Sequence, residues 1–417
     1  MTTTSAIDPQ TLLARRRPEW SLERAFYTDP GIYAADIDRV WKRNWLYVGH
    51  VSRVRLPGQY FLADVAGESL IIIRGKDGAV NALYNVCRHR GSRICLEPSG
   101  TAKALVCPYH QWSYQADGTL TGARFMPEGF DRSKFGMHRA RVEVAAGLIF
   151  VALSDDAPSF APVARDLERF LAPNGMADRA TICHTHTARV KANWKLVVEN
   201  FRECYHCEGS HPEYLSAVSW GKKAKNQQEH DERVAAAEQG RERWKAQGLD
   251  VDGTAFSADT FHHCGRGPLK PGYQSWSLDG KPTAPLMGSQ TERENWLVGF
   301  VMYPNFFLEG GCDYISTTRV LPISACESEI EINWHVHQDA VAGVDYDVER
   351  VTAVWKATAE QDLTLVQNNH AGVESERYEP GPYSTMEAPD IEHFLSWYAR
   401  QLSAPAMAAG RGCKHGE

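Results

Sequence analysis

Two short segments near residue 100 each pair one cysteine with one histidine. The first, NVCRHRGSRIC, places Cys87 and His89 one residue apart, and the second, LVCPYHQWSY, places Cys107 and His110 two residues apart. Two thiolates and two imidazoles make a complete set of four metal ligands. A chain with this pattern has to fold so that the two segments meet, which constrains its first half more than any other feature of the sequence.

The mixed composition of each pair narrows the choice of metal. Zinc accepts the same ligands, but zinc fingers usually pair cysteine with cysteine and histidine with histidine. One thiolate and one imidazole from each segment match a Rieske [2Fe-2S] centre, in which two thiolates hold one iron and two imidazoles hold the other. We therefore predict that Cys87, His89, Cys107 and His110 bind a Rieske cluster, with structural zinc as the alternative. The nearby Cys95 is expected to be a packing residue.

The hydrophobic pattern divides the chain into three parts. Residues 1–42 carry apolar residues at helical spacing and are predicted to form helices that pack on the third part. Residues 43–155 contain short alternating runs between glycine-containing turns, which predict a compact all-β domain. Residues 156–417 combine strand patterns with two long C-terminal helical patterns, which predict an α+β domain with an antiparallel sheet. The charged segment 221–247 is predicted to be an exposed helix or a mobile excursion.

Composition argues against several classes of protein. The net charge of -7 leaves no basic excess to neutralise a phosphate backbone, so no nucleic-acid partner is expected. The N-terminus lacks the apolar run of a signal peptide, and the longest apolar stretch, VAAGLIFVAL, is too short to span a membrane. We therefore expect a cytoplasmic protein with a small-molecule partner. Its ten cysteines are expected to remain thiols or to bind metal rather than to form disulfides.

The four-ligand pattern, together with Gly91 and Pro108, resembles the Rieske domain of the Rieske non-haem iron oxygenases. The resemblance covers nearly the whole chain, from FYTDP near the start to YEPGPYSTME near the end. It implies a small all-β Rieske domain inserted before a catalytic domain with a helix-grip (START-like) fold and a mononuclear Fe(II) site. It also implies a head-to-tail homotrimer and a separate flavin and iron-sulfur NAD(P)H reductase. No dinucleotide-binding G-x-G-x-x-G follows a strand, and the ferredoxin spacing C-x4-C-x2-C is absent from the sequence.

A second group of possible ligands lies in ENFRECYHCEGSH, residues 199 to 211. If a helix continues through this segment, Glu199, Glu203 and His206 share one face. A bend at the following glycine and serine would then return His211 to the side of His206. Two histidines and one carboxylate form the facial triad of non-haem Fe(II) oxygen chemistry. His206 and His211 are therefore the predicted iron ligands.

The same segment is similar to the catalytic signature of the Rieske oxygenases, which implies roles for two acidic residues. That family takes its third iron ligand from a late helix, and the matching stretch EQDLTLVQNN offers Asp362, with Glu360 as the competing candidate. Glu203 resembles the acidic residue that links the two metal centres. By this resemblance an electron passes from the cluster ligand His110 to the iron ligand His206 of the neighbouring subunit. Most aromatic-ring dioxygenases have Asp at that position, and Glu resembles the branch that acts on quaternary ammonium compounds.

Within the family, the bridging Glu together with GVDYD and PGPYS resembles the glycine betaine and proline betaine (stachydrine) demethylating monooxygenases. This resemblance implies an enzyme that uses O2 and reductase-supplied electrons to remove an N-methyl group as formaldehyde. A quaternary ammonium has no N–H, so aromatic faces and dispersion have to hold it. The candidates in the strand region, which could equally be core residues, are Trp276, Trp296, Phe300, Tyr303, Phe306, Phe307 and Tyr314. The large subunit of an aromatic-ring dioxygenase, and an electron-transfer or zinc-stabilised binding protein, stay open as alternatives.

Overall fold

The computed structural model describes residues 8–219, 224–255 and 257–405, and the chain divides into two compact units. One unit contains residues 43–168 and 176–178. The other contains residues 8–42, 169–175 and the described residues from 179 onward. The sequence pattern placed the boundary between the second and third parts at residue 155 instead. Residues 1–7 and 221–223 of the predicted helical segments, and residues 406–417, lie outside the described ranges.

The described part of the chain contains ten α-helices and sixteen β-strands. The helices are α1 (Pro9–Leu13), α2 (Arg24–Thr28), α3 (Pro30–Asp36), α4 (Ala161–Leu171), α5 (Trp194–Phe201), α6 (Cys207–Ser210), α7 (Tyr214–Ala217), α8 (Gln227–Ala246), α9 (Val348–Val373) and α10 (Ala388–Ser403). The strands are β1 (Leu46–His50), β2 (Gln59–Val65), β3 (Glu68–Arg74), β4 (Val80–Tyr84), β5 (Ser99–Thr101), β6 (Leu105–Val106), β7 (Ser113–Tyr114), β8 (Leu120–Gly122), β9 (Arg139–Ala145), β10 (Leu148–Ala152), β11 (Ala180–Val190), β12 (His262–Pro268), β13 (Trp296–Met302), β14 (Phe306–Gly310), β15 (Ile315–Ser324) and β16 (Glu327–His337). Within the described ranges, no helix has both the length and the apolar character needed to cross a membrane.

The all-β unit places the two cysteine-histidine segments at the ends of short strands. Its larger sheet has the order β1-β10-β9-β4-β3-β2-β5, and a small sheet has the order β6-β7-β8. The first segment follows β4, which ends at Tyr84, three residues before Cys87. The second segment joins β6 to β7, so that Cys107 comes directly after Val106. Both cysteine-histidine segments are therefore loops anchored by paired strands.

The α+β unit is built on one antiparallel sheet with the order β11-β16-β15-β14-β13-β12. Helix α9 packs on β11 and on α5, and α5 also contacts β15 and β16. Along α9, apolar and small residues recur every three or four positions on the buried side, as expected of a helix that lies against a sheet. Helix α8, most of the charged segment 221–247, is largely exposed, as the sequence predicted.

Helix α5 is shorter than the sequence predicted. It begins after Asn193, whose side-chain oxygen accepts a backbone N–H bond at 3.0 Å. The sequence pattern is compatible with a helix that continues through His206, but the helix ends at Phe201. Just beyond this end, the Glu203 carboxylate accepts hydrogen bonds from the backbone N–H of Tyr205 and from the His206 ring. Such local side-chain bonds compete with helical backbone bonds and favour a turn.

A buried polar network ties the N-terminal helices to α5 and α10. Asp36, at the end of α3, is fully buried and accepts hydrogen bonds from the Lys195 ammonium, the Trp194 indole at 3.1 Å and the Tyr398 hydroxyl at 2.7 Å. A buried ion pair is tolerated only when its remaining polar atoms are also satisfied, and here the indole and hydroxyl meet that need. The N-terminal segment is thus fixed within the α+β unit.

Glu199, a residue of α5, carries a second buried carboxyl group. Glu199 accepts hydrogen bonds from the Tyr27 hydroxyl at 2.9 Å and the Tyr383 hydroxyl at 3.1 Å. Burial raises the pKa of Glu199 to about 7, although both tyrosines and Lys195 act in the opposite direction. The expectation that Glu199 shares a face with Glu203 is therefore wrong, because the helix ends between them and Glu199 binds the N-terminal and C-terminal segments.

Candidate iron centres and substrate cavity

The two loops that contain the cysteine-histidine pairs have the same backbone turn. The backbone N–H of Gly91 donates to the Cys87 carbonyl at 2.9 Å, and that of Gln111 donates to the Cys107 carbonyl at 3.1 Å. Gly91 has a φ of 81° and Gln111 a φ of 61°, so each loop reverses through a left-handed residue four positions after its cysteine. Within this shared turn the histidine occupies a different place in each loop, two residues after Cys87 and three residues after Cys107.

The side chains in these loops fit a Rieske cluster. The cysteines are 2% and 1% exposed, whereas His110 is exposed, and the ring centroids of His89 and His110 lie 4.6 Å apart. The His89 Nδ1 atom is buried and has no hydrogen-bond partner in the described part of the chain. Buried polar atoms are rarely left unpaired, so an orphaned imidazole nitrogen beside a second imidazole and two thiols is consistent with metal ligation.

Tyr114 lies beside the buried thiols. Its hydroxyl oxygen is 3.4 Å from the Cys87 sulfur and accepts the backbone N–H of Arg88 at 3.2 Å. The Cys95 side chain is buried in the same core, where burial raises the pKa of its thiol to about 11. This environment disfavours the thiolate form of Cys95, in agreement with its prediction as a packing residue.

The second group of ligands comes together at the edge of α9. The Asp362 Oδ1 atom lies 2.9 Å from the His211 Nε2 and 3.4 Å from the His206 Nε2. The centroids of the two imidazole rings are 4.9 Å apart. Helix α6 ends before His211 and reverses the chain, so the histidines converge although α5 has already ended. Two imidazoles and a carboxylate therefore point at one small volume.

The Nδ1 nitrogen of each imidazole is hydrogen-bonded to a side-chain oxygen. The His206 Nδ1–H donates to Glu203 Oε1 at 2.5 Å, and the His211 Nδ1–H donates to Gln361 Oε1 at 2.8 Å. The side chain of Gln361 is fixed in turn, because its amide Nε2 donates a hydrogen bond to the Glu213 carboxylate at 2.7 Å. Outer partners of this kind fix the tautomer and ring orientation of metal-binding histidines. Both Nε2 atoms are thereby left to face Asp362, which fits a mononuclear iron site.

The electrostatics of this group favour a bound cation. Burial lowers the pKa of His206, but hydrogen bonds with Asp362 and Glu203 outweigh burial and raise the pKa to about 9. Burial raises the pKa of Asp362, but hydrogen bonds from the two histidines outweigh it and hold the pKa below its usual value. The site thus stabilises positive charge on the imidazoles next to a carboxylate. A metal ion can supply that charge in place of the protons.

The remaining candidates of the 199–211 segment and of α9 lie elsewhere. Glu360 is exposed, whereas Asp362 is buried with the histidines. Cys204 and Cys207 form a disulfide, contrary to the expectation that the cysteines remain thiols or bind metal. The Cys207 sulfur lies within 4.8 Å of histidine nitrogens of the site. Sulfur in a disulfide is not a thiolate, so Cys207 does not offer the metal an anionic ligand.

A cavity of about 530 Å³ opens beside the histidines and Asp362. Of the aromatic residues that the sequence offered, Phe300 and Phe307 line it, and the other five are buried in the core. Three further aromatic residues that were not predicted from the sequence also line it, namely Phe201, Tyr214 and Trp355. A signal existed for Trp355, because it precedes Asp362 by seven residues, or about two helical turns, and so shares its face of α9.

Comparison with protein families and with curated relatives gives matches along most of the chain. Residues 44–135 match the family described as "Rieske [2Fe-2S] domain", and residues 177–404 match "Ring hydroxylating alpha subunit (catalytic domain)". The chain is 35% identical to the glycine betaine monooxygenase oxygenase subunit of Pseudomonas aeruginosa over 94% of its own length and 91% of that protein. It is 32% identical to the carnitine monooxygenase oxygenase subunit of Escherichia coli K12 over 50% of its own length and 57% of that protein.

Solved structures share the fold. A quaternary ammonium Rieske monooxygenase in complex with L-carnitine matches with a TM-score of 0.67 and 21% identity, over 95% of this chain and all of that one. Naphthalene 1,2-dioxygenase from Rhodococcus sp. matches with a TM-score of 0.66 and 17% identity, over 95% of this chain and 98% of that one. The predicted fold class, an all-β domain before an α+β domain with an antiparallel sheet, is confirmed. Because both enzymes match equally well, the fold alone does not distinguish their reactions.

Proposed function

The chain belongs to the ring-hydroxylating alpha subunits of the Rieske oxygenases, which carry a Rieske [2Fe-2S] cluster and a mononuclear iron, and on this premise we propose that it N-demethylates a small betaine. The proposed substrate is a quaternary ammonium compound of the glycine betaine or proline betaine type. One observation carries this choice: the similarity to a glycine betaine monooxygenase oxygenase subunit extends over nearly the full length of both chains. The fold does not carry it, since an arene dioxygenase shares that fold.

We assign the metal centres to the residues whose geometry fits them. The proposed cluster ligands are Cys87, His89, Cys107 and His110, and the proposed iron ligands are His206, His211 and Asp362. When bound, the cluster supplies single electrons and the mononuclear iron activates O2. Glu203 is proposed as a positioning residue, because it binds the ring nitrogen of His206 that faces away from Asp362.

The proposed reaction replaces one C–H bond of an N-methyl group by a C–O bond. One oxygen atom of O2 enters the product, and the other leaves as water after uptake of two electrons and two protons. The resulting N-hydroxymethyl group then loses formaldehyde and one proton and leaves the tertiary amine. Aromatic faces such as Phe307 and Trp355 line the cavity, where they exclude water and attract the cationic head of the substrate.

The electrons for this reaction have to come from a partner protein. We propose a separate NAD(P)H reductase with flavin and iron-sulfur centres, and a homotrimer in which the cluster of one subunit serves the iron of the next. The exposed His110 and the contact between Glu203 and His206 support such a path. The cytoplasmic location expected from the sequence stays a prediction.

A single-turnover screen with chemically reduced protein tests the function without knowledge of the reductase. Glycine betaine, proline betaine, carnitine and a set of arenes would each be mixed with reduced protein and O2. We expect formaldehyde and a demethylated amine from at least one betaine and no cis-diol from any arene. Formation of cis-diols, with no formaldehyde from the ammonium compounds, would instead support the aromatic-ring dioxygenase.

A further inference from the structure

Four paired residues on the antiparallel sheet of the α+β unit line the cavity, and one of them has a carboxylate side chain. Glu309 on β14 pairs with Gly299 on β13 and with Ser316 on β15, and Gly299 pairs in turn with Gly265 on β12. Directly opposed residues of an antiparallel sheet project from the same face. All four line the cavity that contains the proposed iron ligands. The Glu309 side chain therefore projects from the sheet face that forms one wall of this cavity.

The two glycines leave open space next to Glu309. A Cβ atom placed on Gly265 or on Gly299 would meet no heavy atom within 4 Å. Side chains at these positions would fill the wall beside the carboxylate, so their absence widens the cavity at this point. A bulky head group can therefore lie directly against Glu309.

Glu309 is also a carboxylate without a partner. Among the residues that the structure describes, none makes a hydrogen bond to its side chain or places a cationic nitrogen within 4.0 Å of it. Arg202 acts on it from a greater distance and forms its own ion pair with Asp390, at 3.6 Å. Burial raises the pKa of Glu309 to about 8, with Arg202 opposing the shift. The side chain is partly buried, and without a cation beside it the protonated form is favoured near neutral pH. A quaternary ammonium placed against Glu309 would favour the ionised carboxylate.

We propose that Glu309 forms an anionic subsite that receives the quaternary ammonium head of the substrate. A head group without N–H cannot be recognised by directional hydrogen bonds, so a carboxylate that ionises beside it and nearby aromatic faces are the available means. Phe307 lies two residues before Glu309 on the same face of β14, and its ring is 5.0 Å from that of Phe201. This inference rests on the proposed function and assigns one residue the role of selecting a permanent positive charge.

The affinities of two probes for the iron-loaded protein distinguish recognition of the positive charge from recognition of the shape of the head group. The probes are glycine betaine and 3,3-dimethylbutyrate, in which carbon replaces the charged nitrogen. We expect wild type to bind the betaine at least about tenfold more tightly than the neutral-head probe, as for a buried ion pair. Glu309→Gln should remove most of this preference and leave only the part that the aromatic faces supply, and Glu309→Asp should lose less of it. Glu242→Gln, an exposed carboxylate on α8, is the matched control and should behave as wild type.

Each outcome bears on the inference separately from the proposed function. Cluster absorbance and iron content verify that every variant is folded and loaded. A wild type that demethylates betaine, combined with an unchanged preference in Glu309→Gln, overturns the subsite while leaving the proposed function intact. A wild type that does not bind glycine betaine and that forms cis-diols from arenes in the single-turnover screen overturns both.

Discussion

Replacement of Glu203 by Gln tests how the chain positions its proposed iron ligand. The Glu203 carboxylate is 2.5 Å from the His206 Nδ1, and the two side chains are only 12% and 19% exposed, so solvent screens the contact weakly. A hydrogen bond to a charged group contributes about 1.5–3 kcal/mol and a neutral bond about 0.5–1.5 kcal/mol. The amide keeps an acceptor oxygen but loses the charge, at a cost of about 1.4 kcal/mol. A reaction barrier that is higher by this amount makes the reaction roughly tenfold slower.

The assay is a single turnover with chemically reduced protein, glycine betaine and O2. Formaldehyde formation and reoxidation of the cluster, followed by its visible absorbance, would be measured in the same reaction. We expect Glu203→Gln to retain both iron centres and to slow both signals by at least about tenfold, within the range known for outer partners of metal ligands. The control is Glu208→Gln, which changes an exposed carboxylate of the same segment and should react as wild type. Unchanged rates in Glu203→Gln would show that this residue does not position His206.

Three further changes test the fold and the iron site. Asp36→Asn should lower the free energy of unfolding by about 3–5 kcal/mol, because it leaves the Lys195 ammonium buried without its paired carboxylate. Urea denaturation measures this loss, and a loss below about 1 kcal/mol would contradict the stabilising role of the network. The raised pKa of Glu199, about 7 against 4.5 unfolded, implies stability that is fully present below pH 4.5 and is lost as the pH rises to about 7. At about 1.4 kcal/mol per pKa unit the loss is about 3 kcal/mol, and Glu199→Gln should remove this pH dependence from denaturation curves; an unchanged slope would refute the assignment. Asp362→Ala should lose the mononuclear iron in metal analysis while the cluster absorbance stays, and full iron retention would exclude Asp362 as a ligand.

The sequence predicted those parts of the molecule that depend on residue type and local spacing. A cluster with two kinds of iron needs two thiolates and two imidazoles at fixed separations, so Cys87, His89, Cys107 and His110 could be selected without a structure. The left-handed turn at Gln111 was not foreseeable, because only Gly91 in the first loop carries the residue type that signals such a turn.

The parts that the sequence missed depend on how distant segments meet. Gln361 can orient His211 only because α9 lies close to the 206–211 segment in the fold. The residues next to Gln361 in the sequence do not indicate this contact. The end of α5 at Phe201 was missed because the competing bonds of Glu203 form only in the folded turn. Glu309 follows three apolar residues in a strand, a pattern that equally suits a carboxylate facing water. Its position on a cavity wall results from the sheet register, which local sequence does not reveal.

Labelled substrate gives the most direct test of the proposed chemistry. Glycine betaine with 13C in its N-methyl groups would be mixed with chemically reduced protein and O2, and the products followed by NMR through one turnover. We expect labelled formaldehyde and labelled dimethylglycine in equal amounts, both abolished in Asp362→Ala. Consumption of O2 without any labelled formaldehyde, from a protein that retains both iron centres, would contradict the proposal that this chain demethylates a betaine.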